Sequence, residues 1–204
     1  MAAVDALAAQ NPASQYLEPA LPKYVYAARQ TNNTAAAVAL GEKAAAAGVF
    51  NEDLLLLMAD YYMNQKKDAA KAVAYSSKLV QVLNGKQKPQ GMSDADWDKK
   101  RNTMLGLGYW MEGTTLSSQP DKQAEADKAL RASLPLIQGN DQLMGPALFY
   151  LGLVNYQMGK GVKGGSPRTA DAVKFMTQSA SIKGPFQAKA QSNVAVMRKE
   201  SAAR

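Results

Sequence analysis

Apolar residues in this chain recur at three- and four-residue steps, and polar or glycine-rich breaks divide them into segments that suit paired helices. Leu54, Leu57, Met58 and Tyr61 form one stripe behind Asn51, a good N-cap, so a helix is expected over about 52–64. Ala70, Val73, Ala74, Ser77, Leu79 and Val80 mark the next over about 68–83, with Gly85 placed to close it in the left-handed conformation. Ser93 and Asp96 have capping-box spacing before a helix over about 94–112 that carries Trp97, Met104, Leu105 and Tyr109. Gly113 to Pro120 reads as an insertion at the apex of that pair. A helix over about 121–137 follows, with Ala126, Ala129, Leu130 and Leu134 inward and Pro135 tightening its last turn.

Beyond Gly139-Asn140, Leu143, Ala147, Leu148, Leu151, Gly152 and Asn155 mark another helix, and Ala172, Val173, Phe175, Met176 and Ala180 mark its partner over about 168–181. Gly184-Pro185 breaks the chain before a last amphipathic helix over 186–199, suited to cover the apolar end of a stack. Residues 1–21 are weakly patterned and read as an irregular lead-in. Pro22 suits the first turn of a helix over about 22–30, and Asn32-Asn33-Thr34 turns the chain into a helix over 35–47 ended by Gly48. The expected domain runs over 22–199, with approximate repeats 22–48, 51–84, 94–137 and 141–183 and a cap at 186–199.

Three stretches share one shape: Leu57 to Tyr62, Leu105 to Trp110 and Leu151 to Tyr156. Each is followed by a second pattern, at Ala70-Ala74-Ser77, Ala126-Leu130-Ser133 and Ala172-Met176-Ser179. These signatures resemble the tetratricopeptide repeat. Leu105, Gly106, Tyr109 and Ala126 match its pattern, as do Leu151, Gly152 and Ala172, with Asn155 in place of the expected tyrosine. In the earlier unit Leu57, Tyr61 and Ala70 match, and Met58 replaces the glycine, which implies wider spacing or a shifted neighbour. The resemblance covers about 51–183 and implies an all-α fold, a right-handed α–α superhelix of antiparallel helix pairs with a C-terminal capping helix. The run from Ala147 to Lys199 also resembles the repeat region of exported or periplasmic bacterial proteins of this family, which tilts localisation away from the cytoplasm.

Composition narrows the chemistry. The 204 residues are 47% hydrophobic and 20% charged, enough apolar material for a core. Histidine and cysteine are absent, which removes imidazole bases, thiolate nucleophiles, disulfides and Cys/His metal sites; neither a catalytic residue nor a metal or cofactor is expected. No run of about 18 apolar residues suggests a membrane span. Lys and Arg outnumber Asp and Glu by 24 to 17, and the excess of +7 is spread along the chain. Gly159 to Ser166 lacks the spacing of a phosphate loop, and Lys66, Lys67, Lys160 and Lys163 fall at turns, where a solvated role is expected.

By the same resemblance, first helices line a concave face. Its positions here are Ala59, Tyr62 and Met63; Leu107, Trp110 and Met111; and Leu153, Tyr156 and Gln157. The rings of Tyr62, Trp110 and Tyr156 suit a peptide groove, because rigid amphipathic rings contribute contact area at little rotamer cost. Packing against adjacent helices accounts for them equally well. The expected function is a non-catalytic scaffold that binds a protein or peptide of unknown identity, alone or as one subunit of a larger assembly. Two alternatives stay open: a nucleic-acid-binding repeat protein using the positive excess, and a carboxylate enzyme in which Asp60, set among apolar neighbours, is the candidate acid.

Overall fold

The computed structural model describes residues 1–65, 68–160 and 166–202. Among the described residues there are ten α-helices, two short 3-10 turns and no strand. The chain forms two compact units, Met1–Met104 and Leu105–Arg204. In each, helices consecutive along the chain pack on one another.

The first unit holds α1 (Ala2–Gln10), α2 (Leu17–Gln30), α3 (Thr34–Ala46), α4 (Glu52–Gln65), α5 (Ala69–Gly85) and the start of α6 (Asp94–Leu116). The expected irregular lead-in is corrected here. Residues 2–10 are helical, Ala8 is buried, and Val4 and Leu7 pack on the core of α2–α4. The helix expected from Pro22 begins five residues earlier, because Leu17 and Leu21 are both fully buried and draw that turn into the core. Pro22 therefore sits inside α2. The Tyr24 hydroxyl donates to Asp5 Oδ1 at 2.5 Å and ties α1 to α2. Tyr24→Phe is expected to loosen α1 by about 1 kcal/mol, the net worth of one hydrogen bond. Faster hydrogen exchange confined to residues 4–10 would record it; unchanged exchange there would exclude the tether.

Local signals act where the sequence placed them. Asn51 Oδ1 accepts from the Asp53 and Leu54 amides at 3.0 and 3.3 Å, and Asn33 caps α3 by accepting from Ala36. Ser93 Oγ accepts from the Asp96 amide at 3.1 Å and donates to Asp96 Oδ2 at 2.6 Å, so the short Asp completes the box through the hydroxyl. Gly48, at φ 77, takes the left-handed conformation beyond α3. Gly85 does not: it stays within α5, and Lys86 ends the helix in an extended conformation. Lys86 instead reaches back to the buried Glu52 at 2.6 Å, and Lys100 reaches the same carboxylate at 3.2 Å.

Two spacings differ from the repeat pattern. Ala70 and Ala74 are exposed; Ala72 and Ser76 are buried in their stead, two residues on, while Leu79 and Val80 are buried as expected and Leu83 joins them. Met58 fits because the room comes from the preceding helix. A Cβ built on Gly41 in α3 would lie 2.3 Å from Met58 Sδ, so the missing side chain is on α3 rather than on α4.

The second unit holds the rest of α6, a 3-10 turn at Pro120–Lys122, α7 (Gln123–Ser133), a 3-10 turn at Leu134–Leu136, α8 (Asp141–Gly159), α9 (Pro167–Ser181) and α10 (Gln187–Ala202). The apex insertion is another correction: α6 continues through Gly113 to Leu116, leaving three residues before Pro120. Gly113 allows this. A Cβ there would fall 2.6 Å from Leu130 Cγ and 2.9 Å from the Leu130 amide nitrogen, so α6 and α7 touch backbone to side chain at this point. Pro135 lies in the 3-10 turn that closes the α7 segment, as its missing amide requires. Gly152 plays Gly113's part between α8 and α9, against Met176. The last helix covers α8 and α9: Ala190 and Met197 are buried in one cluster with Phe149, Ala172 and Met176.

Candidate functional site

In the first unit the three tyrosines of α4 and α5 form a satisfied cluster rather than an open face. Tyr62 stacks on Tyr75, with centroids 5.8 Å apart, and meets Tyr61 edge-on at 5.4 Å. Its hydroxyl donates to Glu42 Oε1 at 2.6 Å, and Lys71 Nζ donates to the same oxygen at 3.0 Å while lying 5.0 Å from the Tyr62 ring. Burial alone would raise the Glu42 carboxyl; hydrogen bonds from Tyr62, Lys71 and Tyr75 outweigh it and hold it below its ordinary value. The Tyr62 and Tyr75 hydroxyls are pushed up, first by burial and then by the anion beside them. Met63 is half-buried, and Ala59 is fully buried and offers no surface.

In the second unit the predicted face of α6 divides. Leu105, Gly108, Met111 and Leu116 are buried, so Met111 belongs to the core and leaves the candidate set. Leu107 and Trp110 are half-buried. Trp110 packs on the cluster of Leu130, Leu148, Leu151 and Phe175, and its indole N–H is buried with no hydrogen-bond partner. Thr114, one turn further on the same side of α6, also has an unpartnered buried hydroxyl, and the Gln123 side-chain carbonyl oxygen at the start of α7 is buried without a donor. Beside them Ser117, Ser118, Pro120 and Gln123 face Gln157 and Met158 across an open groove of about 400 Å³. Gln157 is the one predicted face residue of α8 that is exposed. Leu153 and Tyr156 pack in the cluster that α10 covers, and the Tyr156 hydroxyl donates to Glu200.

The repeat-signature residues Leu57, Leu105, Gly106, Ala126, Leu151, Gly152 and Ala172 are buried, Tyr61 and Tyr109 half-buried, and Ala70 exposed. Asn155, where the repeat has a tyrosine, is fully buried and is the centre of a polar network that the sequence did not reveal. Its Nδ2 donates to Asp127 Oδ1 at 2.7 Å and to the Leu151 carbonyl at 2.9 Å; its Oδ1 accepts from Arg168 at 3.0 Å and from Arg131 at 3.4 Å. Asp127 also receives Arg131 at 2.9 Å and Arg168 at 2.8 Å, and Arg131 reaches Asp171 at 2.6 Å. Burial would raise the Asp127 carboxyl, but the hydrogen bonds from Asn155, Arg168 and Arg131 hold it below the ordinary aspartate value. The network joins α7, α8 and α9. Its groups are mutually satisfied and balanced in charge, which suits fixing helix register rather than capturing an ion. The one readable signal was Asp127 and Arg131 at helical i,i+4 spacing.

A second cavity, of about 470 Å³, lies between the start of α8 and the α9–α10 link, with Pro146, Ile182 and Phe186 among its apolar walls and Asp141 and Lys183 at its edge. Asp60 is exposed and its Oδ1 accepts from Asn64 Nδ2 at 2.9 Å, one helical turn away. Among the described residues no group of three or more carboxylates is gathered where it could hold a metal, and no helix is long and apolar enough to cross a membrane. Among the described residues, Lys71, Lys86, Lys88, Lys100, Lys122, Arg131 and Arg168 are paired with carboxylates. Lys160 is exposed; Lys66, Lys67, Lys163 and the glycines from Gly161 to Gly165 lie outside the described residues. Comparison with protein-family models, curated proteins and solved structures finds no match.

Proposed function

We propose that this chain is a non-catalytic helical scaffold, its helix pairs of the tetratricopeptide kind, that binds an uncharged segment of a protein or peptide. The observation that carries this reading is the groove between the α6–α7 turn and the C-terminal end of α8. Its lining of serine, glutamine, proline and methionine carries no formal charge, and Gln157 and Ser118 are open at its rim. Side-chain amides and hydroxyls suit the alternating donors and acceptors of a peptide main chain, while Pro120 and Met158 offer apolar contact. An acidic or phosphorylated ligand finds no cation among these six residues. Exposed Lys128 on α7 provides a control position away from the groove lining.

A photo-crosslinking residue placed at Gln157, compared with one at Lys128, tests the reading in extract from the native cell. A discrete protein adduct from position 157 that position 128 does not yield is the expected result. Filling the groove with Ser118→Arg should then abolish that adduct while leaving helicity unchanged. Equal, diffuse labelling from both positions would reject the groove as a binding site.

A further inference from the structure

The cavity of about 470 Å³ in the second unit lies where the start of α8 faces the link from α9 to α10. Its apolar walls are fixed from behind. A Cβ built on Gly145 would stand 3.4 Å from Ile182 Cγ2, so the link packs closely on α8. Ser179 Oγ donates to the Gly145 carbonyl at 2.8 Å and ties α9 to the same turn of α8. Phe186 is held by two rings, Phe149 at 5.0 Å and Tyr150 at 5.6 Å. Apolar walls already in place, with a few polar groups at the edge, are the usual form of a small-molecule site of this size.

The polar groups divide by sign. On the α8 side stands the Asp141 carboxylate, and next to it a main-chain acceptor that the helix does not use. Pro146 sits inside α8 without an amide hydrogen, so the Gln142 carbonyl lacks its α-helical donor, and the proline ring crowds it off the helix axis. Gln142 and Pro146 both line the cavity. On the link side stands the Lys183 ammonium, and the amides of Lys183 and Gly184 have no acceptor among the described residues. Asp141 and Lys183 are exposed, and among the described residues neither is paired with the other or with a further side chain.

We propose that this cavity binds a small zwitterion with an apolar side chain, a hydrophobic amino acid or short peptide. Asp141 and the Gln142 carbonyl receive its ammonium, Lys183 receives its carboxylate, and Pro146, Ile182 and Phe186 receive its side chain. A ligand of one sign would leave one edge charge unmatched, whereas a zwitterion matches both. The cavity shares no lining residue with the groove beside Gln157, so the proposal does not rest on the scaffold reading.

The probes are phenylalanine and leucyl-phenylalanine, titrated by calorimetry into the full chain at low salt. N-acetylated and C-terminally amidated forms of each remove one charge at a time. At least one free probe is expected to bind, and blocking either end should weaken it by about three- to tenfold, the range for one charged contact at an exposed edge. Asp141→Asn should weaken the free probe by a similar factor and leave the acetylated form unchanged. Lys183→Gln should weaken the free probe and leave the amidated form unchanged. Both positions are exposed, so neither substitution removes a core contact, and the blocked probes decide the matter on the wild-type chain should a variant fold poorly. The tighter of the two free probes identifies the source, amino acid or peptide. No heat from either probe at millimolar concentration overturns the proposal. Equal binding of free and blocked forms marks an apolar cleft only and overturns it as well. Unchanged affinity in both variants places the binding elsewhere, with the same consequence.

Discussion

Replacing Asp127 by alanine is expected to destabilise the second unit by about 3 kcal/mol, because the carboxylate is the acceptor on which three helices converge. Asp127 is only 7% exposed, and its removal leaves Asn155 Nδ2 with one partner and takes an anion from both Arg131 and Arg168. Breaking a buried pair by deleting one member costs about 3–5 kcal/mol. The lower end applies here, since both guanidinium groups are more than a third exposed and Arg131 keeps Asp171. Thermal unfolding followed by circular dichroism measures the loss, and a midpoint within about 1 °C of wild type would exclude the network as a stabilising element. Asp127→Asn keeps the shape and should cost less. The two variants also differ from wild type in acid. The folded-state value of Asp127 lies below its unfolded value, so its contribution is complete above the unfolded aspartate range and is lost as pH falls through the depressed folded value. Wild type should therefore lose more stability than Asp127→Asn between about pH 5 and pH 2. Parallel pH profiles would contradict the assignment.

Leu130→Ala should cost about 2–5 kcal/mol, as truncation of a fully buried leucine leaves a cavity in addition to the lost transfer energy. Its informative partner is Gly113→Ala. A methyl at position 113 would meet Leu130 Cγ at 2.6 Å, its amide nitrogen at 2.9 Å and the Ala126 carbonyl at 3.1 Å. Helix propensity favours the alanine by about 1 kcal/mol, and overpacking opposes it by about 1–3 kcal/mol, so net destabilisation is expected. In the double variant the clash with Leu130 Cγ is gone while both backbone contacts remain. The pair should thus be less harmful than the sum of its members, by about 1 kcal/mol or more. Strict additivity would mean that the two helices do not meet at Gly113.

These two sites mark where reading the chain succeeded and where it stopped. Asn51, Asn33 and Ser93 cap the helices they were expected to cap, because a cap is a contact between a side chain and amides two or three residues away. Leu151, Gly152 and Ala172 are buried as the repeat spacing implies. On α5 the same reasoning chose Ala70 and Ala74 over Ala72 and Ser76. Alanine and serine occur in both registers, and their hydrophobic contrast is too small for periodicity to separate them. In the observed register Tyr75 of α5 stacks on Tyr62 of α4. The N-terminal helix was missed for a related reason: residues 1–21 carry little periodic signal, yet Leu17 and Leu21 are fully buried once α3 and α4 lie beside them.

Site residues followed the same division. Tyr62, Trp110, Tyr156 and Gln157 were found by their place in a repeat, but one is tied to Glu42, one is packed with an unmet indole N–H, one is held by Glu200, and one is open to solvent. Residue type does not distinguish these fates. The Asp127–Asn155–Arg168 network was harder still to foresee, since its members are separated by 28 and 13 residues and none is unusual alone.

The approximate span of most helices, several of their caps and the all-helical class follow from the order of residues, because each depends on groups within about four positions of one another. Which side chains lose their water, how Asn155 comes to bridge two arginines, and what lies over Tyr156 depend on groups far apart along the chain. Those choices are made when helices close on one another, where a methyl at Gly113 or a missing acceptor at Asp127 changes contacts that no isolated helix makes.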